Sequence, residues 1–444
     1  MRNPVHPLSP RIPGSRRGGV GRSATLAATV FALLAPTGCS DAERSTDPPV
    51  NELPALTLVE ELRLGDVDDP DVGFSQPSSV AQRPDGTFAV VEAQGLQIRV
   101  YEADGTPLHR FGSRGEGPGE FGMVPSIGWV GDTLWAMDGG HERLTNFRAD
   151  GTVLGAHRIE TLEVPLPSGR GTIFPIVPRE DGTLTGHLVR VMVRQDDPET
   201  GVAPGDRIPV PLVRYGLQGQ VLDTLGLLDK PNPRIWSREI ARIPEPDIIQ
   251  LGDRRVRIPA PPPALPYFEG TDDGYVEFRA PTPSGGGVHE VEIYRVHPGS
   301  DTVWARSLRW RPVAYTAEDL DSIATRAARS GGGFTAAGGS PPSPPEGWEE
   351  LRDRIQTRMD FPSHQPFASA TWLGNDGTLW IRLRGPESAT QVEWLRVGAD
   401  GELRGRLILG VQDRLLWSHG DEVWVSEPDD LGVPWLVRYR IEAD

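Results

Sequence analysis

The chain has 444 residues, of which 62 are acidic and 45 basic, for a formal net charge of −17. A nucleic-acid partner needs a basic stripe to neutralise phosphates, so this balance argues against one, and against docking on an anionic membrane surface. Lys230 is the sole lysine, so a Schiff base or a lysine general base would have to be that residue.

The first 39 residues read as an export signal rather than as fold. Arg2, Arg11, Arg16, Arg17 and Arg22 make a basic leader, followed by the apolar run ATLAATVFALLAP and then TGCS. The run is shorter than the ~20 residues that cross a bilayer. It fits the apolar centre of a secretory signal. Cys39, the only cysteine of the chain, stands directly after Gly38. TGCS resembles a bacterial lipobox, with Pro36 where that motif usually has Leu. The resemblance implies that Cys39 is lipidated and becomes the mature N-terminus. The alternative is an ordinary cleaved signal with an incidental cysteine. A single thiol allows no internal disulfide, so stability has to come from burial. Residues 40–54, SDAERSTDPPVNELP, are polar and proline-bearing and read as a tether.

From residue 55 the pattern is a short apolar strand, an Asp-Gly type turn and another strand. Asp-Gly between apolar runs signals a hairpin, because the turn needs positive φ. Six such turns open comparable segments, at Asp85, Asp132, Asp181, Asp273, Asp376 and Asp421. A second turn follows in the first five, which predicts four strands per unit. The sixth runs DEVWVSEPDDLGVPWLVRYRIEAD to the last residue and lacks one strand. LTLVEELRLG, residues 56–65, precedes the first unit and belongs to none. A ring in which this N-terminal strand completes the last blade removes two exposed edges at once. Repeats of about 45 residues with four strands each are the signature of a β-propeller. The expected fold over 55–444 is all-β, a six-bladed β-propeller closed by the N-terminal strand.

FGSRGEGPGEF, residues 111–121, places four glycines in a short space. A phosphate loop follows a strand and opens a helix. Here a strand follows, and Glu116 and Glu120 would repel phosphate, so a connector is expected. GEGPGEF, then DTLWAMD, then RLTNFRADG resemble the NHL-repeat class, and more closely the exported six-bladed β-propeller lipoproteins of bacteria. The close match spans residues 74–160. The resemblance implies the fold and little about activity, since propellers host many functions.

One insertion interrupts the repeats at 313–365, between blades four and five. TAEDLDSIATRAARS begins with Thr316 as a helix N-cap and places Leu320, Ile323, Ala324 and Ala327 at helical spacing. SGGGFTAAGGSPPSPP reads as a flexible linker. EGWEELRDRIQTRMD predicts a second amphipathic helix with Trp348, Leu351, Ile355 and Met359 on one face. The pair is expected to lie against the propeller, or alternatively to act as a mobile lid or docking arm.

Aligning the six turn segments puts Glu92, Asp138, His187, Arg279, Arg382 and Glu427 at the ends of the second strands. Strand ends in a propeller converge on one face, so this mixed ring is the candidate for a polar ligand. The alternative is that these groups cap loop amides and pair with each other. The resemblance implies that Asp138 with Arg143 is largely architectural. Calcium lactonases on this fold use asparagines as neutral ligands, and only Asn146 falls on an expected strand. Zinc would need converging histidines; His141, His187 and His364 are the candidates. GDVDDPDVG, residues 65–73, resembles a calcium loop only loosely and reads as a solvated acidic loop. No cofactor is assigned, with zinc and calcium left open. No G-x-S-x-G elbow occurs and the one cysteine belongs to the lipobox, so a nucleophile has no candidate.

The expected function is a ligand- or protein-binding module, monomeric and exported to the cell envelope. It would meet the membrane through its lipid alone, in the periplasm or on the outer membrane where the source has two membranes. Its partner is a protein or a small polar ligand, and no catalytic role is assigned. The alternative is a metal-dependent hydrolase or lyase with its site at the axial channel.

Overall fold

The computed structural model describes residues 48–442 apart from 67, 70–71, 167–168, 194–206, 232–247, 252–253, 260–266, 282, 300–301 and 331–343. The signal, Cys39, the first part of the tether and most of the glycine-rich linker lie outside the described residues.

The described residues form six blades. Strand β1 (Thr57–Leu64) comes first in the chain. Blade one is β2 (Pro77–Gln82), β3 (Phe88–Glu92), β4 (Gln97–Tyr101) and β5 (Pro107–Phe111). Blade two is β6 (Ser126–Val130), β7 (Thr133–Asp138), β8 (Arg143–Phe147) and β9 (Val153–Arg158). Blade three holds β10 (Leu162–Leu166), β11 (Gly169–Pro178), β12 (Leu184–Val193), β13 (Arg207–Tyr215) and β14 (Val221–Pro231). A separate hairpin follows, β15 (Ile248–Leu251) with β16 (Arg254–Arg257). Blade four is β17 (Tyr267–Gly270), β18 (Tyr275–Arg279), β19 (His289–Val296) and β20 (Thr302–Trp310). Helices α1 (Ala317–Ser330) and α2 (Trp348–Arg358) precede blade five, which is β21 (Ala368–Leu373), β22 (Leu379–Leu383), β23 (Gln391–Val397) and β24 (Leu403–Gly410). Blade six is β25 (Arg414–His419), β26 (Glu422–Pro428), β27 (Pro434–Glu442) and, on its outer edge, β1.

The closure expected from the missing strand is therefore present. β1 runs antiparallel to β27, from Thr57 opposite Glu442 to Leu64 opposite Leu436. The expectation of four strands in every blade needs one correction. Blade three carries a fifth, because β11 and β12 are long enough to overrun the blade and β10 pairs with the overrun, Leu162 opposite Ile173.

Blade interiors explain the composition of the middle strands. All five residues of β3 are buried, whereas β5 at the rim is largely exposed. A strand covered on both faces reads as continuously apolar rather than alternating. Successive side chains still point opposite ways. Val90 joins a cluster with Trp417, Trp424 and Leu436 of blade six, and Val91 one with Ile127 and Ala136 of blade two. Indoles fill these seams and donate across them. Trp129 Nε1 reaches Ala81 O at 3.1 Å, Trp380 Nε1 reaches Ser418 Oγ at 2.9 Å and Trp424 Nε1 reaches Gln82 Oε1 at 2.7 Å. Within β6 the backbone of Gly128 lies close under the indole of Trp135, where a Cβ would come within 2.5 Å of the ring.

The Asp-Gly turns all lie at one end of the ring. The opposite end, where second strands stop and inter-blade connections run, is here the upper end. The two-helix insertion leaves from this end. Thr316 caps α1 as expected, in a reciprocal box: Asp319 N donates to Thr316 Oγ1 at 3.1 Å and Thr316 N donates to Asp319 Oδ2 at 2.8 Å. Ala324 and Ala328 of α1 and Leu351 and Ile355 of α2 form one apolar cluster with Ile249 and Val256 of the β15–β16 hairpin, with Trp348 and Met359 packed against it. The helices thus have their own small core with that hairpin.

The C-terminal part of the presumed tether is docked. Val50 is fully buried among residues of blades four and five. Asn51 exchanges hydrogen bonds with Arg311, accepting from its N at 2.9 Å and donating to its O at 3.2 Å. Arg406 of β24 receives Leu56 N at 2.7 Å and donates its own N to Pro54 O at 3.1 Å.

Candidate functional site

Counting from the residue that closes each lower turn shows which ring positions correspond. Arg83 N bonds Thr87 O, Arg179 N bonds Thr183 O, Thr271 N bonds Gly274 O and Gly374 N bonds Thr378 O. From these anchors Glu92 and Arg279 occupy one position, while His187 and Arg382 fall one residue short of it. Leu188 and Leu383 stand at the equivalent sites. A one-residue offset turns a strand side chain to the other face, so His187 and Arg382 do not belong to the same set as Glu92. Asp138 and Glu427, which end β7 and follow Ser426 in β26, do belong.

Most of these groups are spent on the fold. Glu92 is buried and accepts from Ser75 N at 2.9 Å and Gln76 N at 2.8 Å, the loop that leads into β2. Asp138 is fully buried and does the same for blade two, accepting from Gly122 N at 2.7 Å, Met123 N at 3.2 Å and Gly140 N at 2.9 Å. A carboxylate at this point holds the connection that enters its own blade, by charge-assisted bonds to amides. Glu427 instead joins the closing strand, 2.9 Å from Arg63 and accepting from the Tyr439 hydroxyl at 2.6 Å. Arg279 donates Nε to the buried Glu277 at 2.7 Å and lies over the Tyr294 ring. The Tyr294 phenol is pushed up to about 12, first by burial and then by its bond to Glu292. His187 is buried with Nε2 2.7 Å from Thr271 O of the neighbouring blade.

The three histidines weighed for zinc are not brought together. His141 Nδ1 lies 2.8 Å from Asp138 Oδ2, though without the alignment of a hydrogen bond. His364 Nδ1 lies 2.9 Å from Ser363 Oγ. Among the described residues no group of three histidine, cysteine or acidic side chains is placed to hold a metal ion. Asn146 donates Nδ2 to Leu217 O at 2.6 Å, a link between blades two and three.

The glycine-rich connector carries its own carboxylate. Glu120 folds back to accept from Gly117 N at 2.8 Å, and Arg143 donates to Glu116 O at 2.7 Å and to Glu120 O. Phe121 is fully buried between blades one and two. The amides a phosphate would need are thus partly occupied.

Arg382 is the exception in the ring. Burial and then the neighbouring charge of Arg384 hold its guanidinium below its usual range. Sequence reasoning singled out Arg382 and passed over Arg384, whose only signal was its place two residues on, just past the end of β22.

No protein-family model and no curated protein matches the chain. Solved structures match it at low identity. A candidate exported protein of Bacteroides fragilis is 14% identical over 90% of this chain and 98% of its own, with a TM-score of 0.42. A member of the duf4221 family from Bacteroides vulgatus is 10% identical over 88% of this chain and 99% of its own, with a TM-score of 0.40. Virginiamycin B lyase from Staphylococcus aureus is 10% identical over 88% of this chain and 90% of its own, with a TM-score of 0.29. At these scores the likenesses carry no argument about activity. The class defined by the strands themselves is a six-bladed β-propeller.

Proposed function

We propose that the chain is an exported binding module, held at the cell envelope by a lipid on Cys39, that receives a protein partner on the upper end of its ring. The observation that supports this reading is the placement of exposed apolar side chains on the upper connections. Met123 is 54% exposed, Val124 45%, Val411 46% and Leu431 80%. Other exposed apolar side chains, Leu108, Leu154, Leu222, Leu227 and Val303, lie on outer strands, and the upper four would serve as a docking surface by acting together. The buried Asp138 holds the amide of Met123 and so shapes the loop that presents it.

In this reading the protein is a monomer, and its likeness to the NHL-repeat lipoproteins extends to the anchor. The test is cross-linking in intact cells of the native source. A discrete adduct that disappears in a Met123→Asp, Leu431→Asp double variant supports the upper end as the binding face. An unchanged adduct moves the face elsewhere, and the absence of any adduct removes the reading. Cys39→Ala should move the protein from the detergent phase to the aqueous phase on Triton X-114 partition.

The metal-dependent hydrolase or lyase has no converging ligand set behind it among the described residues. One equivalent of zinc or calcium in protein purified without a histidine tag would revive it.

A further inference from the structure

Part-buried arginines among the described residues mostly have acidic partners. Arg295 lies 3.1 Å from Asp273, Arg396 3.0 Å from Asp421, Arg406 2.6 Å from Glu393 and Arg438 3.6 Å from Glu422. Arg83 pairs with Asp132 in the same way. In a chain with 62 acids against 45 bases that is the expected state. Arg382 and Arg384 depart from it. Both are part-buried, and among the described residues neither guanidinium has an ion pair or a hydrogen bond.

The two arginines are neighbours, close enough for the charge of Arg384 to act on Arg382. They stand two residues apart, Arg382 within β22 and Arg384 just past its end. The face of β22 that carries Arg382 turns toward blade six, because Trp380 and Trp394 on it cluster with Leu415 and Val423. Arg382 sits between Ala370 of β21 and Trp394 of β23 in the sheet register. The backbone of Arg384 is fixed by its N–H to Phe367 O at 3.1 Å. Neither arginine can shed its proton, so two like charges persist side by side at a cost to the fold.

Other buried polar atoms nearby also lack partners. The Nε of Arg384 and the indole N–H of Trp394 are both buried without a hydrogen-bond partner. Gln365, just before Phe367 in the chain, is 1% exposed with neither amide atom partnered. Glu387 of the adjoining loop and Asp319 of α1 are committed elsewhere. Glu387 pairs with Arg326 at 2.6 Å, and Asp319 takes the amides of Thr316 and Glu387.

We propose that Arg382 and Arg384 form an anion site at the upper end of the seam between blades five and six, taking the carboxylate or phosphate group of a ligand. Paired guanidiniums present a fork of donors that matches either oxyanion. The proposal rests on the reading of the upper end as the binding surface and names one chemistry that surface would take.

The test uses residues 42–444, a single compact unit. Binding of inorganic phosphate and of malonate is titrated by calorimetry at constant ionic strength in chloride. Arg382→Gln and Arg384→Gln are the test variants, and exposed Arg148→Gln is the control. Saturable binding of either ion, weakened tenfold or more by both test variants and untouched in the control, supports the site. Preference for phosphate marks a phosphoryl ligand, and preference for malonate marks a carboxylate. Without anion, both test variants should melt higher than the wild type, since each removes a like-charge neighbour. No binding to the wild type, or binding unchanged in either test variant, overturns the proposal. The cross-linking of the Met123 and Leu431 surface is read separately, so either idea can fail alone.

Discussion

Arg63 and Glu427 stand 364 residues apart in the chain and 2.9 Å apart in the ring. One lies on the first strand and the other on the second strand of the last blade, so their contact spans the closure. Glu60 adds a second carboxylate at 2.7 Å from Arg63. Arg63→Ala should lower stability by roughly 1 kcal/mol, the scale of a part-exposed ion-pair network. Removing residues 1–64 should do far more, because β27 then becomes an open edge. Urea melts and size-exclusion profiles check both, with aggregation expected only for the truncation.

Asp138→Ala should cost roughly 2–4 kcal/mol, since it strips a buried carboxylate from three amides and leaves them without acceptors. Asp138→Asn should fall between, because an amide oxygen still accepts. Chemical denaturation measures the size. A loss under 1 kcal/mol for the alanine variant would mean that the loop finds other partners.

The latch between α1 and blade five should open in acid. Burial would raise the Asp319 carboxyl, but bonds from Thr316 and from the Glu387 amide outweigh it and hold it below the usual carboxylate range. A depressed folded value gives stability that is fully present above the unfolded value and lost as pH falls through the folded one. Hydrogen exchange at the Glu387 amide should therefore quicken below the usual carboxylate range in the wild type. In Asp319→Asn it should be fast throughout.

Gly128→Ala and Gly139→Ala make a matched pair. A Cβ at Gly128 would meet the buried Trp135 ring at 2.5 Å, whereas at Gly139 nothing lies within 4 Å. The first should cost roughly 1–3 kcal/mol by overpacking, and the second should stay within about 0.5 kcal/mol of the wild type. Thermal melts separate them.

The ring was legible because its signals are local. Each Asp-Gly turn announces a hairpin within ten residues, and one absent strand announces the closure. The fifth strand of blade three was hidden in LEVPLPSGRG, where prolines and glycine mask the alternation. The hairpin beneath the helices was hidden too, since the apolar positions of RRVRIP, Val256 and Ile258, stand among arginines and a proline. The site was half legible. Glu92, Asp138, Arg279 and Glu427 share one position counted from their lower turns, whereas His187 and Arg382 fall one residue short of it. The alignment matched polar residues, whereas strand side chains alternate with a period of two and respond to the count from the turn.

The docked segment ahead of β1 decides how the ring would bear force. A pull on the N-terminus meets the buried Val50 and the Asn51–Arg311 pair on blade four first. It then meets the backbone clasp around Arg406 on blade five, and only afterwards the β1–β27 seam of blade six. These attachments are loaded in series, so the outer ones must yield before the closure feels tension. The segment is a strain relief, like the clamp on a cable ahead of its plug, and it lets the ring be held by one end without being opened from it.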